Sequence, residues 1–324
     1  MQLLLEQLPS AEPCGLNGPA VCGKEGPMEL RILRYFLTVA AEGNITRAAE
    51  LLHLTQPTLS RQLSQLEGEL GVRLFERGSH HITLTEEGHL LCRRAREIVE
   101  LADKATEELS HREEVVAGMV TIGCAETTNM QVLAKGMKAF QEQYPHVSFA
   151  VYTATADEVI VRIDRGLFDF GLLMEPAELG KYNFIRFPRQ EQYQLLLCRE
   201  DPLAARDRIT PEDLQGQNLI LAKRESARNV FENWAGSYFA TYKIAGFVNL
   251  SLYNTLAMIE AGLGKGITPL DVSLPEKFRR IPLSPSLPVG TVLVWTKNQR
   301  VSRTVALFET FIRAYILGMN QPRT

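Results

Sequence analysis

The sequence lacks long hydrophobic runs and is not enriched in glycine or proline. Its apolar stretches, such as residues 195–198 and 219–222, have the length of strands, whereas a membrane span needs about 20 apolar residues. Glycine and proline number 23 and 16 among 324 residues, which excludes collagen-like and low-complexity chains. The length and an ordinary apolar content of 45% instead predict two or three globular domains that do not cross a membrane.

Motifs of the common enzyme classes are absent as well. There is no P-loop, no GxSxG nucleophile turn, no HExxH zinc motif and no glycine-rich dinucleotide motif. Four of the six histidines fall between residues 53 and 89, and the other two are His111 and His146. Because catalysis needs a convergent set of nucleophile, base or metal ligands, we expect neither enzymatic activity nor a cofactor.

Paired cysteines are missing too. Cys14, Cys22, Cys92, Cys124 and Cys198 are an odd number without regular metal-binding spacing, which predicts free thiols in a reducing compartment. Two alternatives stay open. The first two cysteines could form a ligand pair, and Cys124 with Cys198, each at a strand end, could make the protein a thiol redox sensor if a nearby helix N-terminus lowered the thiol pKa.

Residues 1–27 have turn chemistry without hydrophobic periodicity. They contain four glycines and four prolines, and we expect a disordered extension. A secretory signal needs a basic start and an apolar core of about 7 to 15 residues, but Glu6 and Gln7 interrupt the leucines before any basic residue. We therefore expect a cytoplasmic protein. Helical periodicity begins directly after Met28, which suggests a native start there.

Residues 28–90 predict a helix-turn-helix followed by a wing. A first helix ends at Gly43, a second follows an N-cap at Thr46, and a third follows an N-cap at Thr55 with Pro57 in its first turn. Two short helices joined by a tight turn form the geometry that places the second helix in the major groove. Residues 79–85 alternate between polar and apolar, as a short hairpin strand would.

The first turn of the third helix carries side chains that can read bases. Glutamine can bond adenine, arginine can bond guanine, and serine or threonine suits bases or phosphates. The candidates are Gln56, Thr58, Ser60, Arg61 and Gln62. The alternative is a solvated polar face on a small helical bundle. Residues 28–90 hold six arginines and eight glutamates, a net charge of −2, so tight DNA binding would need a dimer.

A long helix is expected over residues 89–117, which contain no proline and, before residue 118, no glycine. Its apolar positions step by 4, 3, 4, 3 and 4 residues, the spacing of a coiled-coil seam. They are Leu91, Ala95, Ile98, Ala102, Ala105 and Leu109. The seam predicts pairing of two chains, with packing against the protein's own second domain as the alternative.

Strands and helices alternate from residue 118 onward, which predicts parallel sheets with right-handed crossovers. We expect a first lobe over residues 118–191 and 270–320. A second lobe would cover 192–269, with the chain crossing back near 266–269. The C-terminal lobes alone would also suit a solute receptor without a DNA function, but the missing signal peptide and the helix-turn-helix pattern oppose that alternative.

Ligands of open parallel sheets bind at the carboxyl ends of strands. The first strand ends at Thr127 and Thr128, next to a helix N-terminus whose free N–H groups suit a carboxylate, although ordinary capping explains the same hydroxyls. Glu126 argues mildly against a highly anionic ligand. Further strand ends place other candidates near an interlobe cleft, and any of them could equally be a solvated loop residue: Thr153, Thr155, Lys223, Arg224, Ser226, Thr268 and Pro269.

The N-terminal pattern resembles a known family. Residues 44–52, 55–62, 70–72, 74–77 and 84–88 are similar to the winged helix-turn-helix of LysR-type transcriptional regulators. The resemblance implies an N-terminal all-α winged helix-turn-helix over 28–88, a dimerising linker helix over 89–117, and a two-lobed α/β effector domain over 118–320, similar to periplasmic solute-binding proteins.

The same resemblance implies partners and DNA contacts. Family members bind promoter DNA, act on RNA polymerase, respond to a small-molecule effector held between the lobes, and commonly form homotetramers as dimers of dimers. The recognition helix would contact DNA, and Arg77 would contact it from the wing or at the backbone. The full set of expected contacts is Thr46, Arg47, Gln56, Thr58, Ser60, Arg61 and Arg77.

Overall fold

A computed structural model describes residues 28–77, 82–110, 115–249, 251–297 and 301–318, without the side chains of Arg77 and residues 107–110. The predictions for residues 1–27, including the Cys14 and Cys22 pair, lie outside this range. The chain forms two compact units, Met1–Glu100 and Leu101–Thr324. Among the described residues, no helix has the length and apolar content that a membrane crossing requires.

The first unit contains the predicted helix-turn-helix and wing. Its elements are α1 (Leu30–Glu42), α2 (Ile45–Leu51), α3 (Gln56–Leu70), β1 (Phe75–Arg77), β2 (Ile82–Leu84) and the beginning of α4 (Glu86–Ser110). The two strands pair antiparallel, as a wing requires. Buried leucines on one face of α3 pack against Phe36 of α1 and Ala48 of α2, so the helical spacing of the sequence does mark the core.

The ends of these helices follow from a few local groups. Gly43 ends α1 with φ of 60°, a left-handed conformation that glycine adopts at little cost. The side chain of Asn44 accepts a hydrogen bond from the Arg47 backbone N–H at 3.1 Å and caps α2. The predicted N-cap at Thr46 is therefore wrong, because Thr46 already lies in the first turn of α2. Thr55 precedes α3 as predicted, and Pro57 lies in its first turn.

The long helix α4 differs from the prediction in two ways. It ends at Ser110, and Ala117 already belongs to a strand, so the expected helix to residue 117 is too long. The chain leaves the helix because residues 117–124 pair along their whole length with a neighbouring strand. In addition, Ala95 is fully buried in the core of the first unit together with Cys92. That part of the predicted coiled-coil seam packs within its own chain.

The second unit has two lobes, each built on a five-stranded sheet. Its elements in chain order are β3 (Ala117–Cys124), α5 (Met130–Gln143), β4 (His146–Thr153), α6 (Ala156–Asp164), β5 (Phe170–Met174), β6 (Tyr182–Arg186), β7 (Glu191–Gln192), β8 (Gln194–Cys198), β9 (Asn218–Ala222), α7 (Glu225–Ala235), β10 (Lys243–Val248), α8 (Leu252–Glu260), β11 (Lys265–Thr268), β12 (Phe278–Pro282), β13 (Pro288–Val289), β14 (Thr291–Thr296) and α9 (Arg303–Gly318). Short 3₁₀ turns connect some of them.

The first lobe carries the sheet β4-β3-β5-β14-β6. Strands β3, β4 and β5 are parallel, and β14 runs antiparallel to β5 and β6. Helices α5 and α9 cover one face with Phe140 and Phe308, and α6 covers the other with Val159 and Ile163. The prediction of a purely parallel sheet is thus wrong, because the last strand enters from the other lobe in the opposite direction.

The second lobe carries the sheet β10-β9-β11-β8-β12, which is also mixed because β8 runs antiparallel to both of its neighbours. Strand β12 pairs with β8 in the register Ile281↔Leu195, so this lobe continues past the predicted boundary at residue 269. The predicted crossing at 266–269 is instead strand β11 in the middle of the sheet. The chain crosses between the lobes at β7 and β13, which pair with each other.

Candidate functional site

The first two turns of α3 present the predicted base-reading side chains. Gln56 and Arg61 are exposed, and Arg61 makes no ion pair with any residue that the structure describes. Thr58 and Ser60 are half-buried, and the Thr58 hydroxyl lies 2.8 Å from the hydroxyl of Thr55. The pairing leaves one exposed amide and one exposed guanidinium as the groups with the freest reach toward a base edge.

Helix α2 contributes two exposed neighbours of this surface. Thr46 is exposed, and Arg47 extends from the same helix with its Nε 2.8 Å from Glu42 Oε2. An exposed pair of this kind contributes about 1 kcal/mol or less, so Arg47 can exchange the carboxylate for a phosphate at little cost. The side chain of Arg77, the predicted wing contact, lies outside the described residues.

Two contacts that the sequence did not reveal hold the wing in place. The Glu67 carboxylate at the end of α3 accepts hydrogen bonds from the backbone N–H groups of Leu74 at 2.7 Å and Phe75 at 3.2 Å. The Thr85 hydroxyl donates to the Arg73 carbonyl at 2.7 Å. Glu67 therefore fixes the start of the wing to the recognition helix, and Thr85 joins the residues that precede and follow the hairpin to each other.

Helix α4 begins in the first unit and reaches into the second. Leu90, Ile98 and Leu101 are exposed on it and fall within one face at helical spacing. Further along, the Lys104 ammonium lies 2.7 Å from Asp169 Oδ1 and also donates to the Gly166 carbonyl at 3.0 Å. The Lys104 and Asp169 side chains are only 17% and 5% exposed, so the helix is anchored to the first lobe by a buried ion pair.

The predicted effector hydroxyls of Thr127 and Thr128 are already bonded within the protein. Both residues are buried, and both hydroxyls donate to the same carboxylate oxygen of Glu191, which also accepts the Thr128 backbone N–H. Asn129 Nδ2 donates to the Thr291 hydroxyl at 3.0 Å. The anion position at the N-terminus of α5 is therefore filled by the protein's own carboxylate, and the expectation that these hydroxyls await a ligand is corrected.

Two further contacts bridge the lobes beside the cleft. The Glu126 carboxylate in the first lobe accepts the Leu252 backbone N–H at 2.9 Å, at the first turn of α8 in the second lobe. In the other direction, the Arg224 guanidinium of the second lobe donates to the Pro176 carbonyl of the first lobe at 2.9 Å. Each lobe thus contributes one side chain that bonds to the backbone of the other lobe.

Described residues of both lobes line a small pocket and a larger one. The small one of about 120 Å³ is lined by Glu126, Met174, the ends of β9 and β11, and the first turns of α8, and it includes the predicted residues Thr268 and Pro269. The larger, more open one of about 680 Å³ lies between the start of α6, residues 176–178 and residues 224–229, and it includes the predicted residues Arg224 and Ser226.

The remaining predicted cleft residues line neither pocket. Thr155 caps α6, because its hydroxyl and the Glu158 carboxylate form reciprocal bonds with each other's backbone N–H groups. Thr153 and Lys223 are exposed outside both pockets. Strand ends alone identified two of the pocket-lining segments but not the lining as a whole.

Two cysteines that could serve as redox sensors have environments that oppose thiolate formation. Burial, assisted by the Glu126 charge, raises the pKa of Cys124 to about 12. Burial also raises the pKa of Cys198, with the charge of Glu200 as the next contribution. Since the thiolate is the form that attacks peroxide, neither environment favours a sensing thiol.

Two family descriptions match the N-terminal and the C-terminal parts of this architecture. Residues 30–89 match "Bacterial regulatory helix-turn-helix protein, lysR family", and residues 113–316 match "LysR substrate binding domain". The chain belongs to the LysR family of DNA-binding transcriptional regulators. The resemblance inferred from the recognition-helix residues is confirmed.

Named relatives agree with this assignment. The chain is 28% identical over 299 residues to the HTH-type transcriptional regulator YybE of Bacillus subtilis (strain 168), covering 88% of this chain and 98% of the relative. It is 30% identical over 258 residues to the HTH-type transcriptional regulator BsdA of the same organism, covering 78% and 87%. A "Hydrogen peroxide-inducible genes activator" of Dickeya chrysanthemi is 30% identical over 256 residues, covering 77% and 81%.

A solved structure shows the same fold. The crystal structure of CbnR, a LysR family transcriptional regulator, matches with a TM-score of 0.71 at 24% identity, covering 89% of this chain and 99% of that one. CbnR in complex with its target DNA matches with a TM-score of 0.69. The winged helix-turn-helix, with its two-stranded wing, and the two-lobed α/β domain of this LysR-type regulator therefore follow a known architecture.

Proposed function

We propose that this regulator binds an interrupted inverted repeat in promoter DNA as a dimer in the cytoplasm, and that a small molecule held between the lobes changes that binding. The exposed Gln56 and Arg61, on the first two turns of α3, carry the proposal. A helix of this kind places its N-terminal side chains against base edges in the major groove. Thr46, Arg47, Thr58, Ser60 and Arg77 are proposed as supporting contacts to bases or phosphates.

Charge and exposed surface support a dimer. One copy of residues 28–90 carries six arginines and eight glutamates, a net charge of −2. A single module therefore has no surplus of positive charge with which to bind phosphates. Two modules double the number of contacts and fix their spacing. Leu90, Ile98 and Leu101 on α4 form the surface through which we propose that two chains pair. A dimer of dimers and contact with RNA polymerase are proposed from the family alone.

The long helix supports a route from the cleft to DNA. Helix α4 is covalently continuous with the wing and is anchored to the first lobe by Lys104 and Asp169. A ligand that binds one lobe arrangement more tightly would shift the population toward it, and α4 would carry that change toward the DNA-binding unit. Binding and release suffice for such a regulator, and we propose no catalytic step.

The proposal is tested with Arg61→Ala. Genomic fragments bound by the full chain are selected, and fluorescence anisotropy is measured on the selected site across a salt series. Loss of a bidentate contact to guanine should weaken specific binding by about 1–3 kcal/mol. The Lys135→Ala variant removes an exposed positive charge of the second unit and should leave binding unchanged.

Binding to sequences other than the selected site distinguishes a base contact of Arg61 from a phosphate contact. If Arg61 reads a base, Arg61→Ala relaxes sequence preference at one position of the site, whereas a phosphate contact weakens all sequences equally. A folded wild-type protein that shows no sequence preference, with or without added metabolites, would contradict the proposed function. Equal losses in the Arg61 and Lys135 variants would contradict the assigned role of Arg61.

A further inference from the structure

The N-termini of two helices beside the cleft are occupied by glutamates of this chain. Glu191 lies just before α5, where it accepts the Thr128 backbone N–H, and it is 3% exposed. Glu126 lies at the first turn of α8, where it accepts the Leu252 N–H at 2.9 Å. Free N–H groups and the helix dipole make such positions attractive to carboxylates and phosphates. One backbone N–H that could hold an anionic effector beside each helix is therefore already bonded to a glutamate of this chain.

Glu191 has a further property. Its Oε1 accepts three donors from Thr127 and Thr128, and its Oε2 has no hydrogen-bond partner among the described residues. A second carboxylate brought to the start of α5 would meet this buried oxygen without a proton or cation between them. Because like charges at short range in a buried region repel strongly, the start of α5 disfavours a second anion.

The Glu126 carboxylate also repels an anion, and it does so in the small pocket. Of the described residues that line the pocket of about 120 Å³, Glu126 is the one that carries a charge. Most of the others are apolar, and the polar ones are the hydroxyl residues Ser251, Thr255 and Thr268. Ser251 caps α8 and Thr268 accepts the Leu270 N–H, so Glu126 remains the main electrostatic feature that a ligand meets.

The size of the pocket limits its occupant. An apolar protein cavity of about 150 Å³ holds one benzene molecule, so a pocket of about 120 Å³ suits roughly five or six non-hydrogen atoms. A compact apolar group with one hydrogen-bonding end fits both the volume and the lining. A larger ligand would need the two lobes to separate, which would break the Glu126 contact with α8.

We propose that Glu126 is a specificity-determining residue that makes this pocket accept a small, uncharged, mainly apolar effector and exclude carboxylates. The inference rests on the proposed effector role of the cleft and deepens it by naming the ligand class. Glu126 acts by direct charge repulsion and by occupying the Leu252 N–H at the start of α8, which a ligand carboxylate would otherwise use.

Isobutyramide and isobutyrate provide a matched probe pair, because they share shape and size and differ mainly in charge. The thermal midpoint of the full chain is measured against the concentration of each probe at equal ionic strength and pH 7. In the wild type, isobutyramide should raise the midpoint with a saturable concentration dependence. Isobutyrate should bind at least about tenfold more weakly, a difference of about 1.4 kcal/mol.

Two substitutions of Glu126 separate the effect of its charge from the effect of its hydrogen bond to α8. Glu126→Gln keeps an oxygen that can accept the Leu252 N–H but removes the charge, so it should fold like the wild type and reduce the preference for the amide. Glu126→Ala removes the charge and frees the Leu252 N–H at the start of α8, and isobutyrate should then bind about tenfold more tightly than to the wild type. Glu178→Gln, in the larger pocket, should retain wild-type selectivity.

The proposal is overturned if the wild type binds isobutyrate as tightly as isobutyramide, if it does not bind the amide, or if neither Glu126 variant gains affinity for isobutyrate. DNA binding of the same samples keeps this result separate from the proposed function. Sequence-specific DNA binding without probe selectivity would remove the ligand class alone. Probe selectivity without sequence-specific DNA binding would remove the regulatory function and leave the pocket assignment intact.

Discussion

Gly88 lets helix α4 pack closely against the wing because it has no side chain. A Cβ at this position would lie 2.1 Å from the Leu74 carbonyl oxygen and 3.1 Å from Leu84 Cδ2. The nearest obstacle is backbone, which cannot move aside as a flexible side chain can. Helix α4 can therefore pack against the start of β1 only with glycine at position 88.

We expect Gly88→Ala to lower the free energy of unfolding by about 2 kcal/mol, because the added methyl group overpacks a rigid contact. Urea unfolding of the full chain, followed by a signal that reports on the DNA-binding unit, measures the loss in unfolding free energy. Gly68→Ala in α3 is the matched control, since a Cβ there meets nothing within 4 Å and alanine should stabilise the helix by up to about 1 kcal/mol. Equal effects at the two glycines would contradict the proposed contact.

The Cys124 thiol gives a second prediction for a single residue. Its pKa is raised from 9.0 to about 12 by burial and by the Glu126 charge. The folded protein should therefore leave Cys124 unmodified by peroxide at pH 7, as measured by mass spectrometry of digests, while the urea-unfolded chain is oxidised there. Oxidation of Cys124 in the folded protein, accompanied by altered DNA binding, would instead support a redox sensor.

The same shift predicts a pH dependence of stability. The folded state binds the thiol proton more tightly than the unfolded state, whose pKa stays near 9.0. The contribution of Cys124 is therefore fully present below about pH 9 and is lost as the pH rises toward 12. A Cys124→Ala variant should show a shallower decline in stability over this range. Parallel declines in the two proteins would contradict the cause given for the shift.

Among elements, the sequence predicted those whose local pattern carries their own packing. Helix α3 combines Thr55, Pro57 and an apolar face at helical spacing, and it forms as expected. Strand β12 was missed because Arg279 and Arg280 interrupt its apolar pattern, although Phe278 and Ile281 are buried against β8. Its identity as a strand depends on a partner about 80 residues away, which periodicity cannot reveal.

The site was predictable to a similar degree. The exposed turn of α3 could be inferred from residue chemistry because all its members are close in sequence. The carboxylate at the start of α5 could not, since Glu191 and Thr128 are 63 residues apart and meet only through the fold. The bridge from Glu126 to Leu252 spans 126 residues and was hidden for the same reason. Sequence patterns therefore left a ligand site and ordinary capping equally open at a position that the fold fills with Glu191.

The attachment of α4 to the first lobe is testable at the same scale. The Asp169 carboxylate accepts hydrogen bonds from the Lys104 ammonium at 2.7 Å and from the Thr121 backbone N–H at 2.7 Å. Asp169→Ala leaves the buried ammonium without its counterion, and we expect a loss of about 3 kcal/mol in the stability of the second unit. Glu142→Ala, which breaks an exposed pair with Lys138, should cost less than about 0.5 kcal/mol.

Urea unfolding of the full chain, followed by the fluorescence of Trp234 and Trp295, both of which lie in the second unit, measures the two variants. A Lys104→Met/Asp169→Leu double variant should recover part of the loss, because apolar groups of similar size leave no buried charge unpaired. A loss at Asp169→Ala as small as that at Glu142→Ala would show that the ion pair does not anchor α4.

For the whole molecule, the balance of charge makes assembly decisive. The chain carries a net charge of −3, so no broad basic surface is available to hold DNA by itself. Linking two weak modules converts the second binding event into an intramolecular one, which can raise apparent affinity by roughly 10² to 10⁴. The surface that joins the chains should therefore control DNA affinity as strongly as the base contacts do.

We expect the double substitution Ile98→Glu/Leu101→Glu to dissociate the dimer and weaken binding to a full inverted repeat by roughly 10² or more. These side chains are 43% and 46% exposed on α4, and a charge there would be desolvated in a paired helix. Light scattering reports mass, and anisotropy reports affinity. Leu263→Glu, at 43% exposure outside α4, should change neither. Undiminished dimerisation of the α4 variant would place the pairing surface elsewhere, whereas a folded monomer that still bound the full site tightly would show that one module suffices.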